Sequence, residues 1–313
     1  MATAAATTRA KQRAGDRAFS GLAVGAGSLI LVLLAAVAIF LIAQGIPGVL
    51  AAPDDTVILN GKNFWEYVAP LAFGTLWSAA LALLLATPLS IGIALFISHY
   101  APRRLAQTLG YIVDLLAAVP SVVFGLWGGL VLAPLIQPAY TWLSENAGWF
   151  PLFAGDASAT GRTILTASIV LAVMILPIMT AINREIFLQT PRLHEEAALA
   201  LGATRWEMIR MAVLPFGRPG MVSAAMLGLG RALGETMAVA MVLSPAAIVS
   251  FVVIASSNPN TIAANIALSF PEAFGLGVDV LIATGLVLFV VTFAVNAVAR
   301  YVISRRAEFS GAN

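Results

Sequence analysis

The chain has 313 residues, 60% of them hydrophobic and 10% charged, with a formal net charge of +2 and no cysteine. A soluble protein of this length carries about 25% charged and 45–50% apolar residues, so a single water-facing core cannot hide these side chains, and lipid must be part of the solvent. The small net charge gives no reason to invoke nucleic acid, and without cysteine there is no disulfide, thiolate catalysis or cysteine metal site.

A helix needs about 20 residues to cross the hydrocarbon core. The first expected span covers 21–44, Gly21 to Gln44, behind a basic tail over 1–20 with Arg9, Lys11, Arg13 and Arg17. Its apolar run is longer than the roughly 7–15 residues of a signal-peptide core, so it reads as a retained span. The second covers 70–98 and contains Pro88, expected to kink it. The third covers 109–135 and contains Asp114 and Pro120. There proline frees a helical carbonyl, and Ser121 can satisfy it or line a path. Asp114 reads as a pairing or capping residue. The fourth span covers 163–182, the fifth 221–243 with Arg231 and Glu235 inside it, and the sixth 280–299. A tail over 304–313 follows. The apolar stretch Ile248 to Phe270 is broken by Ser256, Ser257, Asn258, Pro259 and Asn260, and reads as interfacial or re-entrant.

Lys and Arg set the orientation. With the N-terminus inside, the tail, the second inner connection, the fourth-to-fifth connection and the C-terminal end hold four, two, five and three of them, fourteen in all, against two outside, Lys62 and Arg162. This predicts an even number of spans with both termini in the cytoplasm. Trp65, Tyr67, Trp142 and Trp149 fall near the expected outer boundaries, where aromatic belts form. The expected fold is all-α: a polytopic bundle of six transmembrane helices, one membrane domain over 21–303 without internal repeat.

The longest inner connection, 184–218, contains EEAALALGATRWEMIRMAVLP, Glu195 to Pro215. Acidic residues followed by alanines suit a helix start at Glu196–Ala198, Gly202 suits a left-handed stop, and Pro215 is expected to end a second helical stretch. In the fifth span Arg231 and Glu235 lie four apart, which puts them on one helix face with Ala224, Gly228 and Ala238. Such a small, polar face belongs in the bundle interior or a watery cavity. The pair serves either as a structural ion pair or as an anion site, since a guanidinium fork matches phosphate oxygens.

The inner loop resembles the EAA loop of ABC importer permeases, with matches at Glu196, Ala197, Ala198, Gly202, Leu214 and Pro215, and Ala212 in place of the usual isoleucine. RALGETMAV, Arg231 to Val239, and VPSVVFGLWG, Val119 to Gly128, resemble motifs of the phosphate-specific PstC permeases. The resemblance implies a type I importer (MetI-like) fold in the bacterial plasma membrane. It implies a PstA-like second permease, two PstB-like ATP-binding subunits and a PstS-like phosphate-binding protein. It ties Arg231 and Glu235 to phosphate transport and makes Glu196–Gly202 the helix that docks on the ATPase. The chain has no G-x-x-x-x-G-K-[ST] phosphate loop, so ATP and magnesium are expected on the partner. Transport of sulfate, molybdate or phosphonate, an ion-coupled carrier and a membrane-embedded enzyme are the alternatives. The enzyme reading lacks any nucleophile or metal constellation, and the two histidines, His99 and His194, lie far apart.

Overall fold

The computed structural model describes residues 14–307, with side chains over 15–301. Arg9, Lys11 and Arg13 of the N-terminal tail, and residues 308–313 of the C-terminal one, lie outside the described residues. Six helices among those described are long and apolar enough to cross a membrane: Gly15–Val49, Phe64–Tyr100, Ser121–Ala147, Ile164–Leu188, Arg205–Leu233 and Leu276–Tyr301. The bundle is all-α apart from one pair of two-residue parallel strands, β1 (Pro245–Ala246) and β2 (Asn258–Pro259).

Helix α1 (Ala14–Val49) runs along the outside of the bundle and joins it through α12 (Leu276–Ala307). Gly45 and Gly48 make that close approach, with a Cβ at Gly48 meeting the backbone of Asp279. Helix α2 (Phe64–Leu95) starts at a capping box, in which Asn63 accepts from Glu66 N–H and Glu66 accepts from Asn63 N–H. The helix runs on through Pro70 and Pro88 without a break. It buries Ser78, Ala79, Ala82, Ala86 and Ser90, a small-residue stripe that lets it pack closely on α6 (Ile164–Leu188). Helix α6 is the most buried of the six, and the main core gathers around it.

The third expected span is not one helix. Helix α3 (Arg103–Ala117) ends before Pro120, and α4 (Ser121–Trp127) continues through a π-turn into α5 (Ala133–Ala147). Pro120 is the N-cap of α4, with φ −59° and ψ 140°, so it separates two helices instead of kinking one. Helix α3 is amphipathic and short, and the membrane-crossing segment begins only at Ser121.

Segment 244–275 does not cross. It holds the β1–β2 pair and one eight-residue helix, α11, Ile262–Ser269, about 12 Å long at 1.5 Å per residue. Asn258 pins it: its Oδ1 accepts from Ile164 N–H at 2.9 Å, and its Nδ2 reaches the carbonyls of Arg162, Ser244 and Ser256 at 3.2–3.3 Å. One buried amide thus closes the end of the bundle where α6 starts.

Candidate functional site

The fifth expected span breaks at its signature. Helix α9 (Leu214–Leu233) stops at Gly234, and a new helix, α10 (Met237–Val242), starts after Thr236. The α9 face with Gly217, Ala224 and Gly228 packs on α6, where a Cβ at Gly217 would press on Phe187 and one at Gly228 would meet Met179 Sδ at 2.7 Å. The two helices run antiparallel, since 217 lies against 187, 228 against 179 and 175, and α10 sits beside Val170 through Gly128. The break therefore falls between the levels of Ile175 and Val170, near the middle of α6.

Breaking the helix separates the expected pair. Arg231 belongs to the last turn of α9, whereas Glu235 lies beyond it. Glu235 is 9% exposed, and its Oε1 accepts from Ala238 N–H at 3.0 Å, filling a donor at the start of α10. Arg231 is half-buried and, among the described residues, has no hydrogen-bond or ion-pair partner. A one-face ion pair is thus replaced by a capping carboxylate and a free guanidinium. Irregular backbone at this depth persists only where protein or water satisfies it, and Glu235 is one such satisfier.

The second signature lies against the first. A Cβ on Gly125 would come 2.8 Å from Ala238 Cα, and one on Gly128 would come 2.8 Å from Val242 Cγ2. Helices α4 and α10 therefore run in the same direction with Gly125 beside Ala238. Ser121, one turn before Gly125, is level with Gly234 and Glu235. Two helix starts thus lie side by side, and the Glu235 carboxylate already caps that of α10. Pro120 is exposed and Ser121 partly buried.

At the far end of α6 lies α7 (Arg192–Ala200). It starts four residues earlier than its Glu-Ala-Ala composition suggests, because Pro191 takes the N-cap position with φ −61°. Glu196 and Ala197 are exposed, while Ala198 is buried with Ala94, Leu95, Phe187, Ile209 and Val213. Gly202 has φ +85°, the left-handed stop its position calls for. Thr204 then opens α8 (Arg205–Met208) with a capping box to Glu207. Pro215 does not end this helix. A π-turn over Ile209–Val213 leads into α9, with Pro215 in its first turn, where a missing N–H costs little. Leu214 packs against the cluster around Ala198.

Residues 86–308 match the binding-protein-dependent transport system inner membrane component family. The chain belongs to this family. It is 48% identical over 305 residues to phosphate transport system permease protein PstC 2 of Mycobacterium tuberculosis, covering 92% of this chain and 91% of that protein. It is 47% identical over 286 residues to PstC of Mycobacterium leprae, covering 86% and 87%. Among solved structures, the inward-facing MetNI methionine ABC transporter aligns at TM-score 0.47 and 19% identity, over 76% of this chain and 93% of that one. With six apolar helices, this inner membrane component is a multi-pass protein of the bacterial plasma membrane.

Two features of this transport component had little sequence signal. His99 Nε2 lies 3.6 Å from Glu195 Oε1, fastening α7 to the end of α2 across 96 positions of chain. Asp114, expected to pair or cap, has no ion-pair partner among the described residues; it lines a cleft of about 530 Å³ with Arg103, Arg184 and Arg192.

Proposed function

We propose that this chain forms one half of the transmembrane path for inorganic phosphate in an ATP-driven importer. The observation that carries the reading is Arg231: half-buried in the last turn of α9, at the break in the fifth span, and without a hydrogen-bond or ion-pair partner among the described residues. A lone arginine at a bilayer centre costs about 2.5–3.5 kcal/mol on insertion scales. An anion held by the guanidinium fork offsets that cost. The relatives named for phosphate support this anion over sulfate, molybdate or phosphonate.

The remaining parts follow from this reading. Both termini face the cytoplasm, so α7 and the Gly202 turn lie on the cytoplasmic side. There the exposed Glu196 and Ala197 surface docks on an ATP-binding subunit. Two such subunits of the PstB type hold ATP and magnesium, and this chain hydrolyses nothing itself. A PstA-like permease supplies the other half of the path, and a PstS-like extracytoplasmic protein delivers phosphate. ATP binding closes the ATPases, α7 moves, and access to Arg231 switches sides. The burial of Ala198 against Phe187 and Ile209 supports this coupling, since it ties α7 to both α6 and the segment leading into α9.

Uptake of labelled phosphate by the assembled transporter tests the substrate. Arsenate should compete and sulfate should not. Equal competition by sulfate would overturn the phosphate reading while leaving the permease assignment in place.

A further inference from the structure

Apart from the path, the molecule has a second basic site. At the end of the bundle that carries α7, a cleft of about 530 Å³ opens between α3, the end of α2 and the end of α6. Arg103, Arg184 and Arg192 line it, with Gln107 and Tyr111 as further polar groups and Asp114 as the one carboxylate in the lining. From this we propose that the cleft binds a phosphate group, carried by an anionic lipid or free in solution, and that its occupancy stabilises the packing of α3 on α6. The proposal does not rest on the transport reading.

Three observations converge. Arg103 and Arg192 are the first residues of α3 and α7, helices of 15 and nine residues. Both N-caps are prolines that make no side-chain cap bond, so no side chain caps either helix start, and the first residue of each helix lines the cleft. The third is Arg184. One of its Nη groups pairs with Glu185 Oε1 at 2.8 Å, while its Nε is buried without a hydrogen-bond partner. The other Nη lies over Gly110, where a Cβ would collide with it. A tetrahedral oxyanion has enough acceptors to serve more than one of the guanidinium groups that line the cleft.

The surroundings fit a lipid as carrier. Helix α3 exposes Leu105, Ile112, Leu115 and Leu116, an apolar face on an amphipathic helix that ends just before a membrane-crossing segment. Helices of this kind lie in the headgroup region, the depth of lipid phosphates.

The test uses the full chain in its transporter complex, purified in a neutral detergent and titrated with phosphatidylglycerol, phosphatidylcholine or inorganic phosphate. Thermal unfolding is followed by tryptophan fluorescence. Phosphatidylglycerol should raise the melting midpoint and phosphatidylcholine should not. Arg103→Gln with Arg192→Gln should weaken half-saturation about a hundredfold, about tenfold for each charge-assisted hydrogen bond lost. Stabilisation by inorganic phosphate alone, lost in the double variant, would assign the site to the free ion. If the double variant does not fold, Gly110→Ala decides, because it displaces the Arg184 guanidinium and removes no charge. A response to both ligands that is equal in wild type and in the folded variants overturns the proposal.

Discussion

Glu235 reaches forward to the N–H of Ala238 at 3.0 Å, not back to Arg231. Its carboxylate completes the start of α10, and the guanidinium one turn upstream keeps its donors for something else. A spacing of four residues on one helix predicts contact. The stop at Leu233–Gly234 removes the premise.

The two residues should therefore fail differently. Arg231→Gln should abolish phosphate uptake with normal membrane abundance, because an amide cannot supply the charge. Glu235→Gln keeps an oxygen that can accept from Ala238 N–H, so it should assemble and retain part of the uptake. Glu235→Ala leaves that donor unmet in a buried place and should lower stability by about 1–3 kcal/mol. Uptake measured beside the abundance of each variant checks all three. Near-normal uptake by a well-assembled Arg231→Gln protein would remove the anion role.

Gly202 tests coupling. Nothing lies within 4 Å of a Cβ added there, so a substitution is opposed only by the φ of +85°. Gly202→Ala should cost about 1–2 kcal/mol locally, and Gly202→Asn less, since asparagine tolerates this region. Gly202→Asp also adds an acid near Glu196 on the surface proposed to dock. It should uncouple ATP hydrolysis from transport more than Gly202→Asn does. ATPase activity measured per phosphate transported separates them, and equal ratios in all variants would show that the turn does not transmit movement.

Much of this arrangement was legible because lipid imposes long apolar runs. The first, second, fourth and sixth helices lie where hydropathy puts them, each extended by several residues because helical hydrogen bonding continues past the apolar window. The third and fifth shift because hydropathy cannot see a break: Leu109 to Pro120 and Glu235 to Leu243 are apolar enough to read as continuous helix, but Pro120 and Gly234–Thr236 end it. The left-handed turn at Gly202 was readable from one glycine. The register of Gly125 against Ala238 was not, because it depends on how two distant segments pack. Asn258 stood out only as part of a polar interruption, and its four partners come from three different segments.

Asn258→Ala should be among the costliest single changes at that end of the bundle. It leaves Ile164 N–H and three carbonyls without their partner in a buried site. At about 1–3 kcal/mol for a buried unsatisfied group, the loss should lower the thermal midpoint by several degrees. Asn258→Asp restores only the acceptor and buries a charge, so it should be no better. Thermal unfolding of the purified complex checks the order, and a wild-type midpoint in Asn258→Ala would show that the clamp carries little stability.

The same clamp shapes the test of orientation. A bulky reporter at Asn258 would break the fold before it reported a side, so single cysteines are the better probe, and the chain has none of its own. Asp156 and Ser257 are exposed near the start of α6, and Glu196 and Leu201 are exposed beyond its end. The fourteen-to-two distribution of Lys and Arg assigns the first pair to the outside and the second to the cytoplasm. In intact cells, a membrane-impermeant maleimide should label Asp156→Cys and Ser257→Cys. Glu196→Cys and Leu201→Cys should react only after the membrane is opened. Both pairs flank the same helix, so they must report opposite sides in any arrangement where α6 crosses. Labelling of Leu201→Cys in intact cells would invert the bundle and put the proposed docking surface on the side without ATP.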